Sequence, residues 1–302
     1  SRVYKTPAPD QYWGFRPDPR PANTVAWELT EAIEEKLIEV FSDRGKDSPK
    51  VRQQILREGV PVPIATLAAC LAEESNDARL LVVLDALKEL ADPSIPELFV
   101  EVIKSTAVPE TMRLTALSYL TADLDEAGES TLLDLAQSME DGKVLVQVIQ
   151  HLGSRPRLDC GKYLVDKLQC QDGGVRAAAM RALAVLKHAG VSQQTIGLLN
   201  DSDVRVRRAA VFAAGKLGIR SASDRLLQLA ADSDRETCRV SLNALRELDQ
   251  PDAVGQAVVA LRHAVTQLAA ITYLADHGGP DQLEPLTTIA GKNRSIEVLT
   301  KV

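Results

Sequence analysis

The residues best equipped for catalysis are few and scattered. Four histidines, His151, His188, His263 and His277, lie far apart in sequence. General-base or metal chemistry needs a histidine with its second nitrogen fixed by a partner, so the spacing points to surface and helix-end histidines. Cys70, Cys160, Cys170 and Cys238 form no C-x-x-C and no Cys/His cluster with zinc spacing. On a single helix, Cys160 and Cys170 would stand about 15 Å apart, beyond disulfide reach. They read as small apolar side chains on helices, which suits a reducing compartment or indifference to redox state. Five Gly-Lys pairs, at Gly45, Gly142, Gly161, Gly215 and Gly291, lack the G-x-x-x-x-G-K-[ST] frame that lets backbone N–H groups cradle phosphates. G-x-G-x-x-G, G-x-S-x-G and H-E-x-x-H are also absent, and no carboxylate pair stands out as acid and base. The expected cofactor complement is none, and neither catalytic nor metal-ligating residues are assigned.

One charged feature remains. Residues 172–220 carry eight Lys and Arg against three Asp and Glu, in a 302-residue chain whose net charge is -7. On a helix over 204–217, Val206, Ala210, Ala213 and Leu217 share one face, and Arg205, Arg208, Phe212 and Lys216 share the opposite one. Arg181 and Arg239 continue the second row one unit to either side. The row is either a solvated helix face or a patch that binds an acidic peptide, domain or polyanion. The acidic balance elsewhere, with a pI near 5.3, argues against general nucleic-acid binding, which needs excess Lys and Arg for the phosphates. The longest apolar runs, such as 80–84, are too short to span a membrane. No secretory signal opens the chain, and Ser1-Arg2-Val3-Tyr4 reads as a fragment start or a processed end.

The elements that hold this row repeat. Segments 175–186, 206–217 and 237–248 superimpose without gaps, and their closing residues Leu186, Leu217 and Leu248 are 31 apart. Weaker copies end near Leu90, Leu120, Leu152 and Leu274, with a degenerate one around 51–56. A second helical pattern lies between them, at 64–73, 95–105, 132–139, 162–168, 195–199, 224–231, 253–261 and 281–290. Leucines recur at three- and four-residue spacing, without strand-like alternation. Pro and Gly mark the joints, among them Pro93, Pro109, Gly128, Gly153, Gly190, Gly218, Pro251 and Pro280. Each unit is thus a helical hairpin that cannot bury its apolar face alone. Stacked neighbours supply a continuous core, which predicts an all-α solenoid. Leu186, Leu217 and Leu248 should be buried equivalently, and Ala209, Ala213 and Ala244 should let helices approach closely.

The copy from Asp201 to Gly218, DSDVRVRRAAVFAAGKLG, resembles the second-helix motif of the HEAT-repeat family. That resemblance covers roughly 50–290 and implies a right-handed superhelix of about seven or eight hairpins, with the second helices lining the concave surface. It also implies a ladder between turn Asp and helix Arg of neighbouring repeats. Asp201 and Arg207 match those places. Arg176 matches the Arg of the copy before, where Cys170 replaces the Asp and leaves Asp172 as a substitute. In the copy after, Asp232 is present and Cys238 replaces the Arg, so the ladder is expected to break there. Arg207 is expected to be structural, bonded near the turn. HEAT-like metal hydroxylases carry His-Glu pairs and HEAT-like DNA glycosylases a basic, aromatic groove; neither feature is found in this chain. HEAT-like bilin lyases are not separated by motif.

Residues 1–27 differ in kind. They hold Tyr4, Tyr12, Trp13, Phe15 and Trp27 together with Pro7, Pro9, Pro17, Pro19 and Pro21. Such a stretch cannot be helical; it is an extended cover over the array end, a docking strap or a disordered arm. The organisation expected is an extended segment over 1–23 and a solenoid over 24–302, opening with a helix from about Thr24 to Phe41. The motif from Tyr12 to Glu28, followed by such repeats, also resembles a junction in large planctomycete-type proteins. Those join a sugar-dehydrogenase-like β-propeller, HEAT repeats and a c-type haem domain. This likeness implies an extracytoplasmic location; otherwise the bacterial chain is expected in the cytoplasm. The function expected is a non-catalytic scaffold that binds a protein partner or flanking domain. The alternatives are a spacer in a multidomain sugar oxidoreductase or a HEAT-like enzyme acting on small molecules.

Overall fold

The computed structural model describes residues 94–122 and 126–292, with helical positions 39, 40, 81, 83–85, 87 and 88 before them. The extended segment over 1–23, the helix from Thr24, the Tyr12–Glu28 motif and the copies at 51–56 and 64–73 lie outside the described residues. Two compact units divide the chain, Ser1–Tyr119 and Leu120–Val302. In the first, α1 (Ile95–Lys104) is followed by α2 (Glu110–Ala122). Phe99 of α1 packs its ring against Tyr119 of α2, and the Arg113 Nε donates to the Ile103 carbonyl at 2.6 Å.

In the second unit the helices alternate. The order is α3 (Glu126–Ser138), α4 (Lys143–Gly153), α5 (Gly161–Lys167), α6 (Gly173–Val185), α7 (Ser192–Leu198) and α8 (Val204–Lys216). Then follow α9 (Ser223–Leu229), α10 (Arg235–Glu247), α11 (Val254–Ala260), α12 (Ala264–His277) and α13 (Leu283–Lys292). Each odd-numbered helix from α3 to α11 packs on the even one after it. The even helices from α4 to α12 pack on one another in series. This is an α-solenoid, and among the described residues there is no strand. No described helix is long and apolar enough to cross a membrane.

The sequence explains both layers. The even helices meet through small side chains. Ala209 and Ala213 are fully buried and Ala244 nearly so. A Cβ on Gly153 of α4 would stand 2.8 Å from the Ala182 Cα of α6, and one on Gly215 of α8 would stand 3.0 Å from the Ala244 Cα of α10. Side-chain volume is therefore confined to the flanks, where Leu183, Leu242 and Leu245 fill the space between layers. Gly153 thus serves as a packing residue at the last turn of α4. Gly128 sits inside α3, so it does not mark a joint.

Even helices end in a repeated way. Leu186, Leu217 and Leu248 occupy the C-cap position of α6, α8 and α10. Each is followed by a left-handed residue, Lys187 (φ 50°), Gly218 (φ 68°) and Asp249 (φ 56°). The next N–H then reaches back: His188 to the Leu183 carbonyl at 3.0 Å, Ile219 to Ala214 at 2.9 Å, and Gln250 to Leu245 at 3.0 Å. This six-to-one bond absorbs the helix's last carbonyls. The three leucines are equivalent in position and unequal in burial. Leu248 is buried, whereas Leu186 and Leu217 are half-buried. At the far end, the hydroxyl of the fully buried Tyr273 donates to the Gln250 carbonyl and accepts the Ala253 N–H, tying α12 to the connection between α10 and α11.

Candidate functional site

Aspartates at a 31-residue spacing organise the turn ends of α6, α8 and α10. Asp172, Asp203 and Asp234 are the N-caps, and each carboxylate accepts a backbone N–H of its helix. Two arginines tie one repeat to the next. Arg176 on α6 donates to both oxygens of Asp201, at 3.1 and 2.8 Å, and also grips the Cys170 and Gln171 carbonyls of its own turn. Arg208 on α8 forks onto Asp234 at 2.7–2.9 Å. Arg207 repeats the own-turn grip on the Asp201 and Ser202 carbonyls, at 3.0 and 3.1 Å. The next rung, Arg207 to Asp232, is not among the ion pairs of the described residues. Asp232 accepts the Asp234 N–H, and the Cys238 thiol takes the Ala230 carbonyl at 2.9 Å. Asp172 serves as a cap, and no ion pair of the described residues uses it.

These contacts set the charge state. Burial pushes the Asp234 carboxyl up, but Arg208 and Thr237 outweigh it and hold the group at about 2, below its ordinary 3.8. Asp201 is lowered in the same manner, with Arg176 overcoming burial. A carboxylate with a depressed pKa in the folded chain stabilises it fully above about pH 4. That contribution is lost as pH falls through the folded value. The chain is therefore expected to lose stability between about pH 4 and pH 2, and Asp234→Asn should flatten this acid limb. Urea midpoints at pH 7, 4 and 3 check it; identical slopes in wild type and variant would contradict the assignment.

Further along the same layer, α6, α8 and α10 enclose an open groove of about 390 Å³. Arg181, Phe212, Lys216, Arg239, Val240, Asn243, Ala244, Arg246 and Glu247 line it. Four of the six residues in the predicted row meet here: Arg181, Phe212, Lys216 and Arg239. Lys216 pairs with Glu247 across the α8–α10 contact at 2.7 Å and lies 5.9 Å from the Phe212 ring centre. Arg239 forks onto Glu236 of its own helix, and Arg246 reaches Asp276 of α12 at 3.3 Å. Arg181 is exposed and forms no ion pair with a described carboxylate. The other two row members lie away from the groove lining. Arg208 is engaged with Asp234, and Arg205 folds back on Asp203 at 2.6 Å.

The polar groove residues that sequence reasoning missed are Asn243, Arg246 and Glu247. The 31-residue register could have found two of them. Asn243 is one repeat beyond Phe212, which is itself one beyond Arg181, and Glu247 is one repeat beyond Lys216.

The isolated candidates separate in space as in sequence. Cys160 and Cys238 are buried and Cys170 is half-buried; all are free thiols. Cys160 caps the start of α5 and Cys170 lies beyond its end, so they do not share a helix. Burial pushes the Cys238 thiol up, against thiolate chemistry. Cys238 borders a second hollow of about 340 Å³ with Ala230, Arg235, Gln256 and Val259. Burial, then Arg155, lowers the His151 pKa. The His277 ring packs at a tilt against Tyr273, their centres 4.8 Å apart, and its Nδ1 is 3.8 Å from Asp249, a carboxylate brought near by the fold rather than by sequence. Among the described residues, no group of three His, Cys, Asp or Glu is placed to hold a metal ion.

Residues 161–246 and 191–266 match the family model for HEAT repeats. The crystal structure of Escherichia coli YibA is similar in fold, with a TM-score of 0.57 at 14% identity, covering 86% of this chain and 96% of YibA. No curated protein matches the chain.

Proposed function

We propose that this chain, which carries HEAT repeats, is a non-catalytic scaffold that holds an acidic protein partner or flanking domain in the groove of α6, α8 and α10. The observation that carries the reading is the composition of that groove. It sets Arg181, Lys216, Arg239 and Arg246 against Glu247 as its one lining carboxylate, with Glu236 and Asp276 pairing Arg239 and Arg246 from outside the lining, in a chain of net charge -7. An acidic body is repelled by most of the molecule and drawn to this strip, which steers encounter toward one face. Phe212, Val240 and Ala244 supply apolar floor between the charges, so contact there also removes surface from water.

Arg205 and Arg208 are the outer members of the proposed row, and their ion pairs make them partly structural. Arg208→Glu would set two carboxylates side by side at Asp234, so loss of binding in that variant could reflect loss of fold. The test therefore uses groove positions. A photo-cross-linking residue at Asn243 is expected to capture a partner whose cross-linked peptide, identified by mass spectrometry, is acidic. The same residue at the exposed Asp224 of α9 should not capture it. Equal yields at both sites, or an adduct that persists at high salt through a basic peptide, would contradict the reading.

A further inference from the structure

The groove carries its own competitor. Glu247 closes one end by pairing with Lys216 at 2.7 Å, and both side chains keep substantial exposure, 32% and 44%. An ion pair so open to water contributes little, so its exchange for another carboxylate costs little. Lys216 also lies over the Phe212 ring, 5.9 Å from its centre, so charge and aromatic surface are presented together. On the α6 wall, Arg181 is exposed and unpaired with any described carboxylate. An occupant thus meets a ready cation at Arg181, an aromatic surface at Phe212, and a cation at Lys216 already held by the protein's own acid.

Resting on the reading above, we propose that the groove takes an acidic linear segment bearing an aromatic side chain, and that Glu247 gates it by competing for Lys216. One carboxylate of the segment bonds Arg181, the aromatic ring packs on Phe212, and a second carboxylate displaces Glu247 from Lys216. Asn243, one repeat beyond Phe212, offers the backbone of the segment both a donor and an acceptor. No bond is made or broken covalently; one ion pair is exchanged for another. Glu247 thereby lowers the affinity of every occupant by the modest cost of that exchange.

The experiment uses the 302-residue chain and a fluorescein-labelled peptide, Asp-Glu-Asp-Phe-Asp-Glu-Asp, followed by fluorescence anisotropy at 50 and 300 mM NaCl. Wild type is expected to bind saturably and more weakly at high salt. Glu247→Gln should tighten binding about threefold to fivefold, the equivalent of freeing one exposed ion pair. Arg181→Ala should weaken it about fivefold to tenfold, and replacing the peptide's Phe by Ala should do the same. Thermal melts of both variants should match wild type, since each altered side chain is exposed. If the peptide binds with salt sensitivity and needs Arg181, yet Glu247→Gln leaves affinity unchanged or lowers it, the gating proposal is overturned and the groove reading stands. Absence of saturable binding to every form would overturn both.

Discussion

Arg176→Met is expected to lower the unfolding free energy by about 2–4 kcal/mol, the largest effect of any single charge removal in the array. The pair it breaks is nearly out of water: the Arg176 side chain is 15% exposed and Asp201 10%. Removing one partner of such a pair leaves a desolvated charge, which costs about 3–5 kcal/mol when burial is complete. The residual exposure sets the figure lower. Arg176 also satisfies two carbonyls of the α5–α6 turn, which would be left without that donor. Urea denaturation checks the value. A second variant, Arg176→Met with Asp201→Ser, separates causes: if the stranded carboxylate dominates, the double change recovers part of the loss. A single-variant loss under 0.5 kcal/mol would show that the pair does not fasten the repeats.

Gly153→Leu should be as damaging, by about 3 kcal/mol or more, through overpacking rather than charge. A Cβ at 153 would lie 2.8 Å from both the Cα and the Cβ of Ala182, and backbone cannot swing aside as a side chain can. A leucine therefore forces α4 off α6 and opens the stack at that step. Gly197 in α7 provides the opposite sign, because nothing stands within 4 Å of its would-be Cβ. Gly197→Ala should stabilise by up to about 1 kcal/mol, the ordinary helix preference of Ala over Gly. Thermal melts of the two variants make the comparison. A neutral Gly153→Leu would mean that α4 and α6 do not pack as described.

How much of this was legible in the residues depends on which force places them. The hairpins follow from a 31-residue register visible in the closing leucines, since repetition averages over local ambiguity. The second helices at 175–186, 206–217 and 237–248 were located to within two residues, because an Ala-rich face and a capping Asp act locally. The odd helices were harder. For α3 the leucine pattern began at Leu132, whereas the helix begins at Glu126, since its first turn carries little apolar signal. Ion pairing was the least legible. The resemblance implied a ladder between neighbouring repeats with Asp201, Arg176 and Arg207 in its places; Arg176 makes such a rung, forward to Asp201, whereas Arg207 spends its donors on the carbonyls of its own turn. Which acid an arginine chooses depends on distances between repeats, and those are invisible in a one-dimensional register. The same limit hid the pairing of Lys216 with Glu247, although both sit at equivalent places in successive copies.

The central claim is that the face made by α6, α8 and α10 is where this scaffold holds its partner. Isothermal titration of the cross-link-identified acidic segment into wild type and into an Arg181→Glu, Arg239→Gln variant, which sets no second carboxylate against Glu236, tests it most directly. The account predicts at least a hundredfold loss of affinity in the variant, with unchanged helicity and a melting temperature within a few degrees of wild type. It also predicts that wild-type affinity falls steeply with salt, as expected for exposed charge contacts. Undiminished binding by the folded variant, or affinity indifferent to salt, would contradict the claim and move the working surface to another face of the repeat array.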